Sequence, residues 1–387
     1  MQRRLTAAFD EFFSSERASS VLLAVATVVS LALANSMVGL SYTAIWEREV
    51  AGLRLMDWIN DGLMAVFFLH IGLELERELY SGELSDVRQA MLPIIAALGG
   101  MVAPAAVHFA FNAGTPTQGG VGVPMATDIA FAMGALAMLG KRVPASLKVF
   151  VVAYAVMDDL GAMIVIAVFY TAKLSLGYLG AAVGVWLLLV LLNRRYRVMA
   201  LPPYLVGGLA MWWLLHHSGV HATLAGVALA FAIPYSSRDA DTHSPSHRLE
   251  HWLHRPVAFG VLPLFALANT ALPLGGSWGP SLASSNSIGI MVGLVVGKPL
   301  GVLSAAYLAV RSGLSRLPFD LTWRHVAGAG MLGGIGFTMA IFIANLAFAG
   351  SPAVVAQSKI AVLVASLVAG AAGYIWLRVT GPLSGDA

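Results

Sequence analysis

Apolar runs long enough to cross a bilayer recur along the whole chain. They fall near residues 18–37, 57–75, 90–112, 121–140, 147–171, 177–193, 201–216, 220–235, 256–273, 287–310, 326–348 and 356–378. A membrane helix needs roughly 17 to 25 residues. Inside hydrocarbon every backbone N–H and C=O must be satisfied internally, which leaves helices or closed barrels. Runs of this length predict an all-α membrane protein with twelve transmembrane helices, numbered here I to XII. Only 11% of the residues are charged, against about 25% in soluble domains. Residues 1–387 therefore read as a single integral membrane domain, with 1–17 as a cytoplasmic N-terminal segment and residues 1–13 as a short surface helix. The expected partner is the lipid bilayer. A net charge of +3 does not suggest nucleic acid, and the lack of cysteine excludes disulfides and thiolate metal sites. Arg3 and Arg4 before an apolar run, with Ala32-Leu33-Ala34 after it, could pass for a signal peptide. Asp10, Glu11 and Glu16 argue against one.

Lys and Arg placement orients the spans. With the N-terminus inside, inner connections hold 18 basic residues and outer ones 4, Lys298 being left in mid-helix. Both termini are therefore expected in the cytoplasm. Residues 90–171 (III–V) and 287–378 (X–XII) then become two three-helix units of opposite direction, expected as inverted repeats. Each has an interrupted middle member: GGVGVPMATDIAF makes IV a broken helix and GMLGGIGFTMAIF does the same in XI. Matching interruptions in two halves are the best sequence pointer to a transporter site.

Asp158 and Asp159 stand halfway along V, and Asp128 in IV. An Asp at the centre of a membrane helix costs about 2.5–3.5 kcal/mol on insertion scales. The default reading is an ion or proton site. Adjacent helical residues diverge by about 100°, so one carboxylate can face a cavity and the other a neighbouring helix. At roughly 6 Å and an effective dielectric of about 20, two such charges repel by about 3 kcal/mol. They should titrate as a coupled unit, with a small cation competing for the same oxygens. The structural alternative is a hydrogen-bonded pair that merely ties helices together. Lys298, in GLVVGKPLGVL, lies too deep to reach water and needs a carboxylate or helix-end carbonyls. Thr127 and Asp128 sit beside the Pro124 break, and Phe337-Thr338 in the corresponding part of XI. Broken helices expose charged dipole ends. Asp128 suits the positive end and Lys298 the negative one, so Asp128 reads as a compensator before it reads as an ion ligand.

Two polar clusters flank the spans. GLELERELYSGEL sets Glu74, Arg77 and Glu78 on one helix face. HRLEHWLH groups His247, Glu250, His251 and His254, and histidines near carboxylates titrate in the physiological range. Solvated helix ends are the bland alternative. The spacing is not that of a zinc protease.

These stretches carry a resemblance. WINDGLMAVFF (58–68), GLELEREL (72–79), ATDIAFAMGAL (126–136), DDLGAMIVIAVFYT (158–171), GVHATLAG (219–226), RLEHWLH (248–254), LPLFALANT (262–270), GKPLG (297–301) and GIGFTMAIFIANLAF (334–348) are similar to the NhaA family of bacterial sodium/proton antiporters over nearly the whole chain. Inverted repeats are a known property of that family, so this resemblance and the repeat reading are not independent. It implies ion and proton binding at Asp158 and Asp159, with charge compensation by Asp128 and Lys298. It also links Asp61, Glu74, Arg77, Glu78, His221, Glu250, His251 and His254 to pH response. Thr127 and backbone carbonyls freed by the breaks could add oxygens to the Na⁺ site. No cofactor is implied; the transported ions would be Na⁺ or Li⁺ and H⁺, across a bacterial inner membrane. Departures are Glu76, where members can carry Lys, and His70 in a usually apolar run. The family's loop between I and II can form a β-hairpin joining two protomers. Here residues 38–56 are short, which leaves a homodimer contact open.

The leading expectation is an electrogenic Na⁺(Li⁺)/H⁺ antiporter with pH-dependent activity, working by alternating access, and not an enzyme. The alternative is a sodium-coupled solute symporter, for which AVMDDLGA offers few polar or aromatic groups. An intramembrane aspartyl protease would need two Asp on separate helices facing each other across one water; Asp158 and Asp159 are neighbours that diverge, and no GxGD motif is present.

Overall fold

The computed structural model describes residues 2–82, 87–170, 174–236, 244–275 and 278–380. Lys173 and Arg238, used in the charge count, lie outside them. Among the described residues, eight helices are long and apolar enough to cross a membrane, or nine if the bent pair Trp323–Gly333 and Phe337–Ala347 counts as one span. The expected span at 201–216 is the 17-residue helix Pro202–Ser218, whereas those at 220–235 and 256–273 are shorter or segmented: Leu224–Ala230, and Val257–Val261 followed by Leu262–Asn269. Pro202 and Pro203 open the 17-residue helix, and Gly219, with φ 84°, closes it. The N-terminal surface helix is not separate. Helix Gln2–Ala34 runs unbroken through residues 14–17, where Ser-Ser-Glu-Arg supplies no Gly or Pro to stop it. The helices divide into two compact units.

The first unit takes Met1–Val25, Asp86–Ala162 and Leu272–Ala387. One pattern of elements occurs twice in it: a long helix, an interrupted pair, a long helix. The first set is Val87–Asn112, the tight helix Gln118–Met125 with Ile129–Leu139, and Ala145–Phe169. The second is Ser285–Arg311, then Trp323–Gly333 with Phe337–Ala347, then Pro352–Thr380. The two leading helices touch backbone to backbone. A Cβ on Gly99 would collide with the Gly301 carbonyl, and one on Gly301 with that of Gly99. Small residues permit this approach, on which van der Waals packing between membrane helices depends. At one end of the unit a buried polar chain ties three helices: Asn286 Oδ1 meets His108 Nε2 at 3.1 Å, and Asn286 Nδ2 donates to Ser358 Oγ at 2.8 Å.

The second unit takes Ala26–Ser85 and Met163–Ala271. Helix Gly39–Trp46 leads into a hairpin of Glu49–Val50 and Leu53–Arg54, turned by Ala51 and Gly52, both at positive φ. Helix Leu55–Tyr80 follows. Leu224–Ala230 lies close on it, because Gly226 and Gly72 leave no side chain between the backbones. Leu69, Leu73, Tyr204, Met211, Leu229 and Leu249 form its buried core.

Candidate functional site

Both interrupted pairs of the first unit break where helix geometry fails. Pro124 cannot donate a backbone hydrogen bond, and Ala126 and Asp128 are extended. Gly333, Gly334 and Gly336 surround the second break. The two breaks meet: Asp128 N donates to Ile335 O at 2.6 Å, and Thr127 Oγ1 to Gly333 O at 2.9 Å.

Asp128 serves two helix N-termini at once. Its Oδ1 accepts from Phe131 N (3.0 Å), and its Oδ2 accepts from Thr338 N (2.9 Å) and Thr338 Oγ1 (2.5 Å). Ser366 Oγ takes the neighbouring Phe337 N at 3.1 Å. A carboxylate in this place satisfies orphan N–H groups and opposes two positive dipole ends. Both of its oxygens are occupied.

Lys298 sits at the opposite polarity. Its Nζ donates to Met125 O, the last carbonyl of Gln118–Met125, and to Asp158 Oδ2 at 2.7 Å. A π-helical turn, Gly293–Gly297, immediately precedes it. Lys298, Asp158 and Asp159 are all fully buried. Asp158 Oδ1 is buried and accepts no hydrogen bond of ordinary geometry among the described residues. Asp159 is near enough to act electrostatically on Lys298 and Tyr154. The site thus concentrates two carboxylates and one ammonium, out of water, at two crossed helix breaks. Such a place suits exchange of one small cation for another. It gathers Thr127, Asp128, Asp158, Asp159 and Lys298.

Tyr154 belongs to this group, although the sequence reading passed over it. Its hydroxyl lies 3.2 Å from Thr127 Oγ1, and its ring centroid 6.0 Å from Lys298 Nζ. Its spacing of i, i+4 to Asp158 was the available signal.

A second cluster belongs to the second unit. Arg77 reaches Glu250 at 2.8 Å, Glu78 at 3.0 Å and Glu74 at 3.7 Å. Glu76 accepts from Ser246 Oγ at 2.9 Å, and the His70 and His254 rings meet edge to face at 5.7 Å. Residues 246, 250 and 254 share one face of helix Pro245–Pro256 by their spacing of four. Both departures from the family pattern, His70 and Glu76, thus fall on this contact. Burial, countered by Arg77 and reinforced by the surrounding glutamates, pushes the Glu250 carboxyl up to about 7. Burial and the facing His70 hold His254 below the usual imidazole range. His251 is exposed. His247 turns instead to Ser244 (2.8 Å) and stacks on Tyr235. Asp61 and His221 are not in this cluster. Asp61 lies 3.7 Å from His216, and His221 Nε2 bonds to Tyr170 O at 2.9 Å.

A family model described as Na⁺/H⁺ antiporter 1 matches residues 10–377. The chain is 58% identical over 376 residues to the Na⁺/H⁺ antiporter NhaA of Dechloromonas aromatica, covering 97% of each. It is 54% identical over 385 residues to the NhaA of Cytophaga hutchinsonii, covering 99% of this chain and 98% of that one.

Proposed function

The chain belongs to the Na⁺/H⁺ antiporter 1 family, and from that premise we propose that it exports Na⁺ or Li⁺ in exchange for entering protons by alternating access. The observation that carries this reading is the fully buried Asp158–Lys298 pair, 2.7 Å long, beside Asp159 at the crossed breaks. A cation that binds the carboxylates must displace a proton or the Lys298 ammonium, since Asp158, Asp159 and Lys298 are all fully buried and an added buried charge needs compensation. Protons and Na⁺ then occupy the site in turn. If two positive charges leave for each Na⁺ that enters the site, exchange is electrogenic. Thr127 and the carbonyls at the breaks supply further oxygens, and a site of this size favours Na⁺ and Li⁺ over K⁺. Asp128 and Lys298 compensate the helix dipoles. Family membership gives no support to the symporter alternative.

The finer architecture belongs to the same proposal: twelve spans, residues 90–171 and 287–378 as inverted repeats, the bacterial inner membrane, and both termini in the cytoplasm. Glu74, Arg77, Glu78, Glu250, His251 and His254, with Asp61 and His221 elsewhere, adjust activity to pH. The hairpin at Glu49–Arg54 is the proposed homodimer contact.

The deciding experiment adds Na⁺ to purified protein from about pH 5 to 9 and records proton release. Competition predicts release, with an apparent Na⁺ affinity that weakens as pH falls. An affinity constant across that range, with no proton released, would refute the reading.

A further inference from the structure

The hydroxyl of Tyr154 sits in a place that two other helices leave open for it. Tyr154 lies on helix Ala145–Phe169, one turn before Asp158, and is fully buried. Glycines border its oxygen: a Cβ added to Gly333 would lie 2.6 Å from it, and one added to Gly100 3.1 Å. Phe150 stacks on the ring at 6.3 Å. The phenol is thereby fixed, and its oxygen ends 3.2 Å from Thr127 Oγ1. Hydrogen-bond counting gives that contact a direction. A hydroxyl has one proton to give and two lone pairs. Thr127 gives its proton to Gly333 O at 2.9 Å. Tyr154 is therefore the donor, and its O–H fills one lone pair of Thr127. The second lone pair stays free, on an oxygen close enough to Asp158 to act on it.

We propose that Tyr154 is a positioning residue for the transported cation: its O–H holds the Thr127 hydroxyl so that the free lone pair faces the carboxylate site. On the antiport reading, from which this follows, Thr127 lends an oxygen to Na⁺; Tyr154 keeps that oxygen turned toward the ion. A threonine needs such a holder. Its Cβ carries a hydroxyl and a methyl of similar size, so packing alone does not decide which of the two faces the site. Hydrogen bonds decide it, and threonine changes rotamer according to the bonds its oxygen finds. Here there are two, to the Gly333 carbonyl and from Tyr154. Thr127 itself lies in the extended stretch between Gln118–Met125 and Ile129–Leu139, where no helix restricts its side chain. The phenol, clamped by its neighbours, is the rigid member of the pair.

The test titrates the purified full chain with Na⁺ at one fixed alkaline pH, reads apparent affinity from proton release, and measures maximal exchange in proteoliposomes. Tyr154→Phe keeps the ring, its bulk and the Phe150 stack, and removes only the O–H. Apparent Na⁺ affinity should weaken about two- to tenfold, the worth of one hydrogen bond, with maximal exchange little changed. Thr127→Val keeps the shape of Thr127 and removes its oxygen. In that background Tyr154→Phe should cost nothing further, because residues that act through one another are not additive. In Thr127→Ser, which keeps the hydroxyl, its cost should return. Should Tyr154→Phe fold poorly, Gly333→Ala replaces it: the added Cβ displaces the same hydroxyl, and should weaken Na⁺ in the native background and not in Thr127→Val. Unchanged Na⁺ affinity in folded Tyr154→Phe would overturn the proposal. So would an equal loss in the Thr127→Val background, which would show that Tyr154 does not act through Thr127. Either result leaves the antiport reading standing as long as the wild type releases protons on Na⁺ addition; a wild type that releases none would sink both.

Discussion

Lys298 and Asp158 are fully buried and paired at 2.7 Å. Removing one partner of a buried pair leaves an uncompensated charge and typically costs about 3–5 kcal/mol. Lys298→Ala should therefore lower the melting temperature as well as exchange, because it also strips the Met125 carbonyl of its donor. Lys298→Arg keeps the charge and should keep most of the fold. Asp159→Asn should abolish Na⁺-driven proton movement in proteoliposomes while folded protein persists, because an amide holds neither a titrating proton nor a full charge for Na⁺. Unaltered melting and exchange in Lys298→Ala would show that the pair does no such work. At this scale the charged members of the candidate site were legible, since a charge in an apolar run is costly and must find a partner. Tyr154 was not, because a tyrosine in an apolar helix is ordinary until its neighbours are known.

Helix Pro245–Pro256 is held to Leu55–Tyr80 by groups whose charge changes near neutrality. The Glu250 carboxyl is raised from 4.5 to about 7. The folded protein therefore binds more protons than the unfolded chain between those values. Its contribution to stability is complete below about 4.5 and is lost as pH rises through about 7. His254 is depressed, so its contribution is present above the ordinary imidazole range and is lost as pH falls through its lowered value. Glu250→Gln should remove the first dependence: the wild-type melting temperature relative to the variant should decline across that interval, measured on purified protein. Exchange should persist in the variant with a shifted pH profile; loss of transport at every pH would move Glu250 into the ion site. His70→Leu deletes one ring of the His70–His254 contact, lets His254 rise toward the ordinary imidazole range, and should shift the acid limb of exchange to higher pH, read by transport at fixed Na⁺. The helix crossing at Gly99 and Gly301 has a simpler rule. Either glycine replaced by Leu pushes two backbones apart and should destabilise by about 1–3 kcal/mol or more. Element identities were legible from apolar length, and the helix breaks from Pro124 and the glycines. The extent of helices such as Leu224–Ala230 was not, because apolar composition runs on to residue 235 past the point where the helix ends.

At the scale of the whole molecule, the charge asymmetry makes a prediction about sidedness. Single cysteines at positions 2 and 385 of this cysteine-free chain should react with impermeant reagents only from the cytoplasmic side; labelling from outside alone would invert the topology. The sequence by itself determined that this is a helical membrane protein of the antiporter family, because hydrocarbon admits few backbone solutions and charges within it are retained only for use. It also determined which residues had to find partners. Only the tertiary structure decided who those partners are. That Asp128 serves Phe131 and Thr338 together depends on two breaks 207 residues apart (128 and 335) crossing at one point. That His70 meets His254, and that Tyr154 meets Thr127, likewise depends on how helices pack. Periodicity and hydropathy describe a helix against its solvent; contacts between distant helices arise from shape and close packing, which no local pattern encodes.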